Sequence, residues 1–242
     1  LLSVVLVFNF VEKLNRPKAN PFAYVTIECS GIDGHGKCEM KLGDAKNDKG
    51  EVIDTSKIKY EISKTTNFSN DDTLTITAES DTYQLTEKSK VYTVSGLDEY
   101  LKNVDELSQD NIDLLVSEAL AKQPDATKNG SGATFTSATA KKLIVMSGDQ
   151  TSTVYVISEI NYTLDDGTNV SYYLSVYFKN VVLRKNSNGE YSLAHGESTY
   201  IGNLINLVGS RFFHGYASQE AAEAAARTTQ TPDADYSALD LH

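Results

Sequence analysis

The residues able to do chemistry are few, and their spacing narrows what they can do. The chain has two cysteines, Cys29 and Cys38, and four histidines, His35, His195, His214 and His242. Cys29 with a distant His would make a thiol nucleophile. Cys29 with Cys38 would make a disulfide, and two buried free thiols in a reducing cell are the remaining reading. The histidines are scattered, and none has a metal-ligand spacing such as H-x3-H. Oxygen-rich stretches at residues 44–50 and 70–72 offer weak calcium ligands, but neither has EF-hand spacing, so solvated turns are expected there. Asn67, Asn129, Asn161 and Asn169 open glycosylation sequons, which matter only in a eukaryotic secretory pathway. No nucleophile elbow, P-loop or dinucleotide fingerprint is present. The expectation is no catalytic residues, no metal and no cofactor. The alternative is a secreted hydrolase with a dispersed carboxylate site.

The element that positions the cysteines is legible. Asp33-Gly34 lies between them, a strong two-residue hairpin signal. A turn there pairs residues whose numbers sum to 67. Cys29 then faces Cys38, Ile27 faces Met40 and Val25 faces Leu42, all on one face because side chains alternate along a strand. The cysteines fall on a non-hydrogen-bonded pair, where side chains are close enough for a disulfide. Closing a loop of about ten residues contributes roughly 2–3 kcal/mol in the chain-entropy account. Glu28 opposite Glu39 is an awkward like-charge pair, with Lys37 and Lys41 diagonally near.

Around this hairpin, residues 22–94 read as short strands and polar turns at near-regular spacing, the pattern of a β-sandwich. The runs are 24–30, 37–42, 57–63, 73–79 and 91–94. Leu74, Ile76 and Ala78 alternate with Thr75, Thr77 and Glu79, so one face is buried. At Ser95-Gly96 the character changes. Tyr100, Leu101, Val104 and Leu107 predict a short turn or helix. Ser108 then predicts an N-cap, with Asp110 and Asp113 in a first turn that favours acids. Ile112, Leu115, Val116, Ala119 and Leu120 carry the helical spacing, and Pro124 predicts the stop.

After a polar loop at residues 125–132, strands return over 134–146, 153–164, 170–183 and 190–194. In the middle two, Val154, Val156, Ile160, Tyr162 and Leu164 share parity with Val170, Tyr172, Leu174, Val176 and Phe178. That predicts a long hairpin with pairing sums near 334 and an odd-length loop at Asp165-Asp166-Gly167. The helix is its expected cover. Asn188-Gly189 marks the next turn. Ile201, Leu204, Ile205, Val208 and Phe212 sit at helical spacing, weakened by Gly202 and Gly209. Residues 218–227 are Ala/Glu-rich and predict a helix, and the polar stretch from Thr228 predicts fraying. The fold class is therefore mainly β or α+β, an Ig-like β-sandwich followed by a helix on an antiparallel meander. The divisions fall at residues 1–20 (span remnant and linker), 21–96, 97–216 and 217–242 (helical, partly disordered tail).

Composition bounds the partners. The chain has 242 residues, 40% hydrophobic and 23% charged, so it folds rather than remaining disordered. Its net charge is −11, which repels nucleic acid phosphates and anionic lipid unless a local basic patch intervenes, and the linear sequence shows none. Trp is absent and Tyr numbers 14, as suits a β-rich protein. The chain opens on Leu1, so a fragment or processed product is expected. Residues 1–8 are nearly all apolar, with Val11 and Leu14 continuing the run. That is too short to cross a bilayer, which needs about 20 residues. The reading preferred is the end of a transmembrane helix. A strand or helix of the globular part and a signal-peptide segment are the alternatives, though no A-x-A cleavage site follows. Lys13, Arg16 and Lys18 flank it, then Pro17 and Pro21 mark a linker. Basic flanks usually stay cytoplasmic, which opposes an outside location for the residues C-terminal to them.

Two short motifs carry a resemblance. Ser30-Gly31-Ile32-Asp33-Gly34-His35-Gly36 resembles the S-G-aromatic-D/N-G-aromatic-G signature of single-span envelope proteins of Gram-positive bacteria, which often pair a cytoplasmic zinc ribbon with extracellular β domains. Val91-Tyr92-Thr93-Val94-Ser95-Gly96-Leu97 resembles the segment that closes their first β domain. The likeness runs in order over residues 20–215, but only these two motifs are specific. It departs at Ile32 and His35, where the family prefers aromatics, and in the cysteine pair. The zinc-ribbon cysteines are not seen. The resemblance implies a motif turn built on Gly31, Asp33, Gly34 and Gly36. It also implies a membrane-anchored, extracellular, non-catalytic module on the outer side of the cell membrane. A protein or cell-wall ligand is the expected partner, engaged through exposed Tyr and Thr faces, and nucleic acid is not. An intracellular scaffold is the third reading, separable by thiol titration.

Overall fold

A computed structural model describes residues 16–46, 50–126, 133–185, 190–209, 211–228 and 234–241. The apolar stretch of residues 1–14, most of the loop after the first helix, the Asn188-Gly189 turn, Asn129 and His242 lie outside them. Among the described residues no helix is long and apolar enough to cross a membrane. The protein is mainly β. One compact unit ends at Asp98 and a second begins at Glu99.

The first unit contains β1 (Lys18–Ala19), β2 (Val25–Ser30), β3 (Gly36–Leu42), β4 (Lys59–Ile62), β5 (Thr66–Phe68), β6 (Thr73–Glu79), β7 (Gln84–Leu85) and β8 (Ser89–Thr93). Two three-stranded antiparallel sheets form, in the orders β2-β3-β5 and β4-β6-β8, and β1 pairs with β7 in parallel. The alternation on β6 buries Leu74, Ile76 and Ala78 in one cluster with Phe22, Val25, Cys38, Phe68, Val94 and Leu97. The β2–β3 hairpin has the expected register, Val25 on Leu42, Ile27 on Met40 and Cys29 on Cys38. The N–H of Cys38 points away from β2 and donates to the Thr65 carbonyl at 3.1 Å, which makes the cysteines a non-hydrogen-bonded pair. They form a disulfide with Cα atoms 4.1 Å apart. Lys41 answers the Glu28–Glu39 repulsion, with its Nζ 3.2 Å from Glu39 and 3.9 Å from Glu28. The strand expected from residue 57 starts later. Thr55–Lys57 is a 3-10 turn capped by Asp54, whose carboxylate accepts from the Ser56 N–H.

The second unit contains β9 (Glu99–Tyr100), α1 (Gln109–Ala126), β10 (Ala133–Gly148), β11 (Thr151–Leu164), β12 (Asn169–Lys179), β13 (Val182–Lys185), β14 (Tyr191–Ala194), β15 (Ser198–Ile201), β16 (Asn203–Val208), β17 (Arg211–Gly215), α2 (Gln219–Thr228) and β18 (Asp235–Asp240). Ser108 caps α1, its Oγ accepting from the Asn111 N–H at 3.3 Å. The helix backbone runs to Ala126, two residues past the expected stop at Pro124. A five-stranded antiparallel sheet is ordered β15-β12-β11-β10-β18. The β11–β12 register sums to 332, as Val154 on Phe178 shows, two less than expected but of the same parity. The loop is Asp165-Asp166-Gly167, with Gly167 at φ +82°.

Three corrections concern this unit. First, α1 covers only part of the even-numbered face of β11, packing over Val154, Val156, Val176 and Phe178. Farther along the same face, Ile160, Tyr162, Tyr172 and Leu174 are covered by Phe213 and Ile205. The opposite face carries α2, whose Ala222 and Ala226 lie on Ile144, Met146, Tyr155 and Ile157. Second, the helix expected around residues 201–212 is the β16–β17 hairpin. Ile205 pairs with Phe213 facing the sheet, while Leu204 and Phe212 face outward and are exposed. The helical spacing arises because apolar residues occupy both faces of a two-stranded ribbon. Third, the tail expected to fray forms β18, pairing with β10 from Lys142–Asp240 to Ser147–Asp235. The open edge of β10 supplies hydrogen bonds whose partner lies far along the chain, which local periodicity cannot announce.

Candidate functional site

The two motifs meet in space at the end of the first unit. Asp98 N–H donates to the Gly31 carbonyl at 2.9 Å, and Asp33 N–H donates to the Asp98 carbonyl at 2.8 Å. His35 N–H closes the turn onto the Ile32 carbonyl at 2.8 Å. Gly31 and Gly34 hold φ of +106° and +82°. Between the motifs lies Asn70. Its backbone N–H donates to Asp33 Oδ1 at 2.6 Å. Its carboxamide pairs with the backbone of Leu97, Nδ2 donating to the carbonyl at 3.2 Å and Oδ1 accepting from the N–H at 3.0 Å. Asp71 N–H donates to the Val94 carbonyl, and Val94 N–H to the Asp72 carbonyl. The stretch 70–72, expected from sequence as a solvated turn, therefore fastens one motif to the other. The Asp33 carboxylate accepts a backbone donor there, and Gly36 packs flush on Leu97. Asn70 had no signal of its own, because an amide bridging two distant segments leaves no local pattern.

The titratable groups elsewhere stay apart. Among the described residues no group of three or more His, Cys, Asp or Glu could hold a metal ion. His35 is exposed on the turn, and His214 faces outward beside Leu204 on the β16–β17 ribbon. His195 follows β14. Its Nε2 lies 3.0 Å from Glu118 Oε2 on α1, its Nδ1 2.9 Å from the Gly196 carbonyl, and its ring meets Phe178 edge-on at 4.9 Å. That contact ties the loop to the helix and presents no nucleophile.

The uncovered part of the β10–β11–β12 sheet carries a polar ladder. Asn161 Nδ2 donates to Ser137 Oγ at 3.2 Å, Ser171 Oγ donates to Asn161 Oδ1, and Thr163 Oγ1 donates to Asn169 Oδ1 at 2.9 Å. Two of the four sequon asparagines thus sit side by side on one sheet face. Asn67 lies on β5 at φ +59°.

An open cleft of about 1090 Å³ lies in the first unit. Arg16, Lys57, Lys59 and Lys88 line it, with Glu79 and Asp81. The linear sequence shows no basic patch; the fold gathers these four cations with two carboxylates in one cleft. The Lys59–Glu79 pairing of β4 with β6 and the Ala78-to-Lys88 hydrogen bond bring these distant cations to one sheet end. Only the strand register could have signalled it. Lys59 donates to Glu61, which raises the ammonium pKa and lowers that of the carboxylate.

Compared with known protein families, with curated proteins and with solved structures, the chain matches none.

Proposed function

We propose that the chain is a non-catalytic binding or spacing module of a cell envelope, held at the outer side of the cell membrane through an N-terminal span. The observation that carries this reading is the Cys29–Cys38 disulfide. Disulfides persist in oxidising compartments and are rare where glutathione keeps thiols reduced. The two envelope-type motifs support it as well. They interlock through Asn70 and Asp33, as expected of a turn whose residues are chosen for fastening rather than for reaction. The first unit is an Ig-like sandwich in this reading, with the strand groups β2-β3-β5 and β4-β6-β8 as its two layers. The Ser, Thr and Asn ladder of the second unit, with Tyr173 on the same strand, is a surface for a protein or wall polymer.

Thiol counting on protein isolated from its native host without reductant tests the compartment. No titratable thiol should appear until reductant and denaturant are added together. Two titratable thiols in the untreated isolate would overturn the outside location. On intact cells, added protease should cleave the chain, and full protection in cells with a sealed membrane would overturn it equally.

A further inference from the structure

The net charge of −11 makes the Arg16–Lys88 cleft exceptional, since four cations face two carboxylates there. Among the described residues, none of Arg16, Lys57 and Lys88 lies within ion-pair distance of a carboxylate, whereas Lys59 is held by Glu61. The cations stand on a braced frame. Ser80 Oγ donates to the Lys57 carbonyl at 2.7 Å and accepts from the N–H groups of Thr82 and Tyr83, each at 3.1 Å. The Asp54 N–H donates to the Tyr83 hydroxyl at 3.0 Å, tying the turn that carries Lys57 to the opposite wall. Such bracing reduces the ordering cost of binding.

We propose that this cleft binds phosphate groups of an envelope polymer. Its cations would be donors to phosphate oxygens, Arg16 through its planar fork and the lysines as point charges. Charges elsewhere on the surface are screened beyond about 8 Å at physiological ionic strength, so a phosphate inside the cleft is governed by its lining rather than by the net charge. Phosphate is favoured over carboxylate because Arg16, Lys57 and Lys88 line one cleft, and a phosphate's oxygens can engage several donors at once. This gives the module a ligand class, and it rests on the envelope reading only for the source of the phosphate.

The test uses the purified oxidised chain and sodium tripolyphosphate as the probe, followed by backbone amide NMR shifts at physiological ionic strength. The expected result is saturable shifts confined to residues near 16, 56–59 and 79–88, weakened by added sodium chloride. They should be lost in the Lys57→Glu/Lys88→Glu variant and kept in Lys185→Glu, a charge reversal in the other unit. Both lysines are exposed, and an unchanged melting curve verifies that the double variant folds. Absent shifts, shifts that survive Lys57→Glu/Lys88→Glu, or equal shifts with sodium acetate at matched ionic strength would overturn the proposal. A second arm uses vesicles of phosphatidylglycerol against phosphatidylcholine. Binding to the anionic vesicles without any response to tripolyphosphate would overturn it in favour of a membrane surface. The binding readout needs no cell, so its failure leaves the thiol count untouched, and a failed thiol count leaves binding untouched.

Discussion

Gly36 and Leu97 approach so closely that a Cβ on Gly36 would fall 2.5 Å from Leu97 Cδ1 and 3.0 Å from the Phe68 carbonyl oxygen. Leu97 is only 2% exposed and belongs to the apolar cluster of the first unit. Gly36→Ala should therefore overpack that cluster and cost about 1–3 kcal/mol of stability. The measurement is thermal or urea unfolding of the variant. Adding Leu97→Ala should make the pair less destabilised than the sum of the single changes, because the clash is shared. Additive losses would show that Gly36 answers to something other than this contact.

Reduction of Cys29–Cys38 should lower the stability of the first unit by roughly 2–3 kcal/mol, the cost of freeing a short loop in the unfolded chain. The second unit contains no cysteine and should melt unchanged. Calorimetry with and without reductant, alongside Cys29→Ser/Cys38→Ser, reads both. Superimposable transitions would mean that the register alone holds the hairpin.

Ending the chain at residue 234 should destabilise the second unit, against the sequence-based expectation of a fraying tail. The truncation uncovers the edge of β10 over Lys142–Ser147 and removes Leu239 and Leu241 from the cluster under α1. It also takes Asp240 from Lys142, whose Nζ lies 3.3 Å from it and 2.9 Å from Glu223. Leu239→Ala in the full chain should cost about 1–2 kcal/mol, since this side chain is only half-buried. Urea midpoints check both.

Alkaline pH should unfold the protein through its tyrosines. Burial pushes the hydroxyls of Tyr60 and Tyr172 well above the usual tyrosine range. A group whose pKa is raised on folding contributes stability that is present in full below its unfolded value, about 10, and lost as pH rises toward the folded one. Tyr60 also donates to the Pro21 carbonyl at 2.8 Å, a bond that ionisation destroys. Stability should be flat across neutral pH and fall above pH about 10. Absorbance at 295 nm and circular dichroism, titrated together, should show the last tyrosines ionising only as the structure is lost. Complete ionisation of a still-folded chain would contradict this.

How far the sequence could be read depended on the range of the interactions. The Cys29–Cys38 register, the β6 alternation and the Ser108 cap are local patterns, and each was legible. The β16–β17 ribbon was not, because Leu204 and Phe212 are apolar without being buried, and they complete a false helical period. Nor was β18, whose Tyr236, Ala238 and Leu239 make too short an apolar pattern to specify a strand; its partner lies far upstream on β10. The site divides in the same way. The turn residues Gly31, Asp33, Gly34 and Gly36 announce themselves. Asn70 and the cations of the cleft do not, because they are brought together only by the pairing of distant strands.

Lys142 pairs with Asp240, far downstream in the second unit. A ribosome emits the chain from its beginning, so the first unit can settle while the remainder is still being made. The second has no such head start. Until residue 240 emerges, β10 offers a bare flank of peptide groups to any passing strand, and aggregation during synthesis is the hazard peculiar to this half of the molecule.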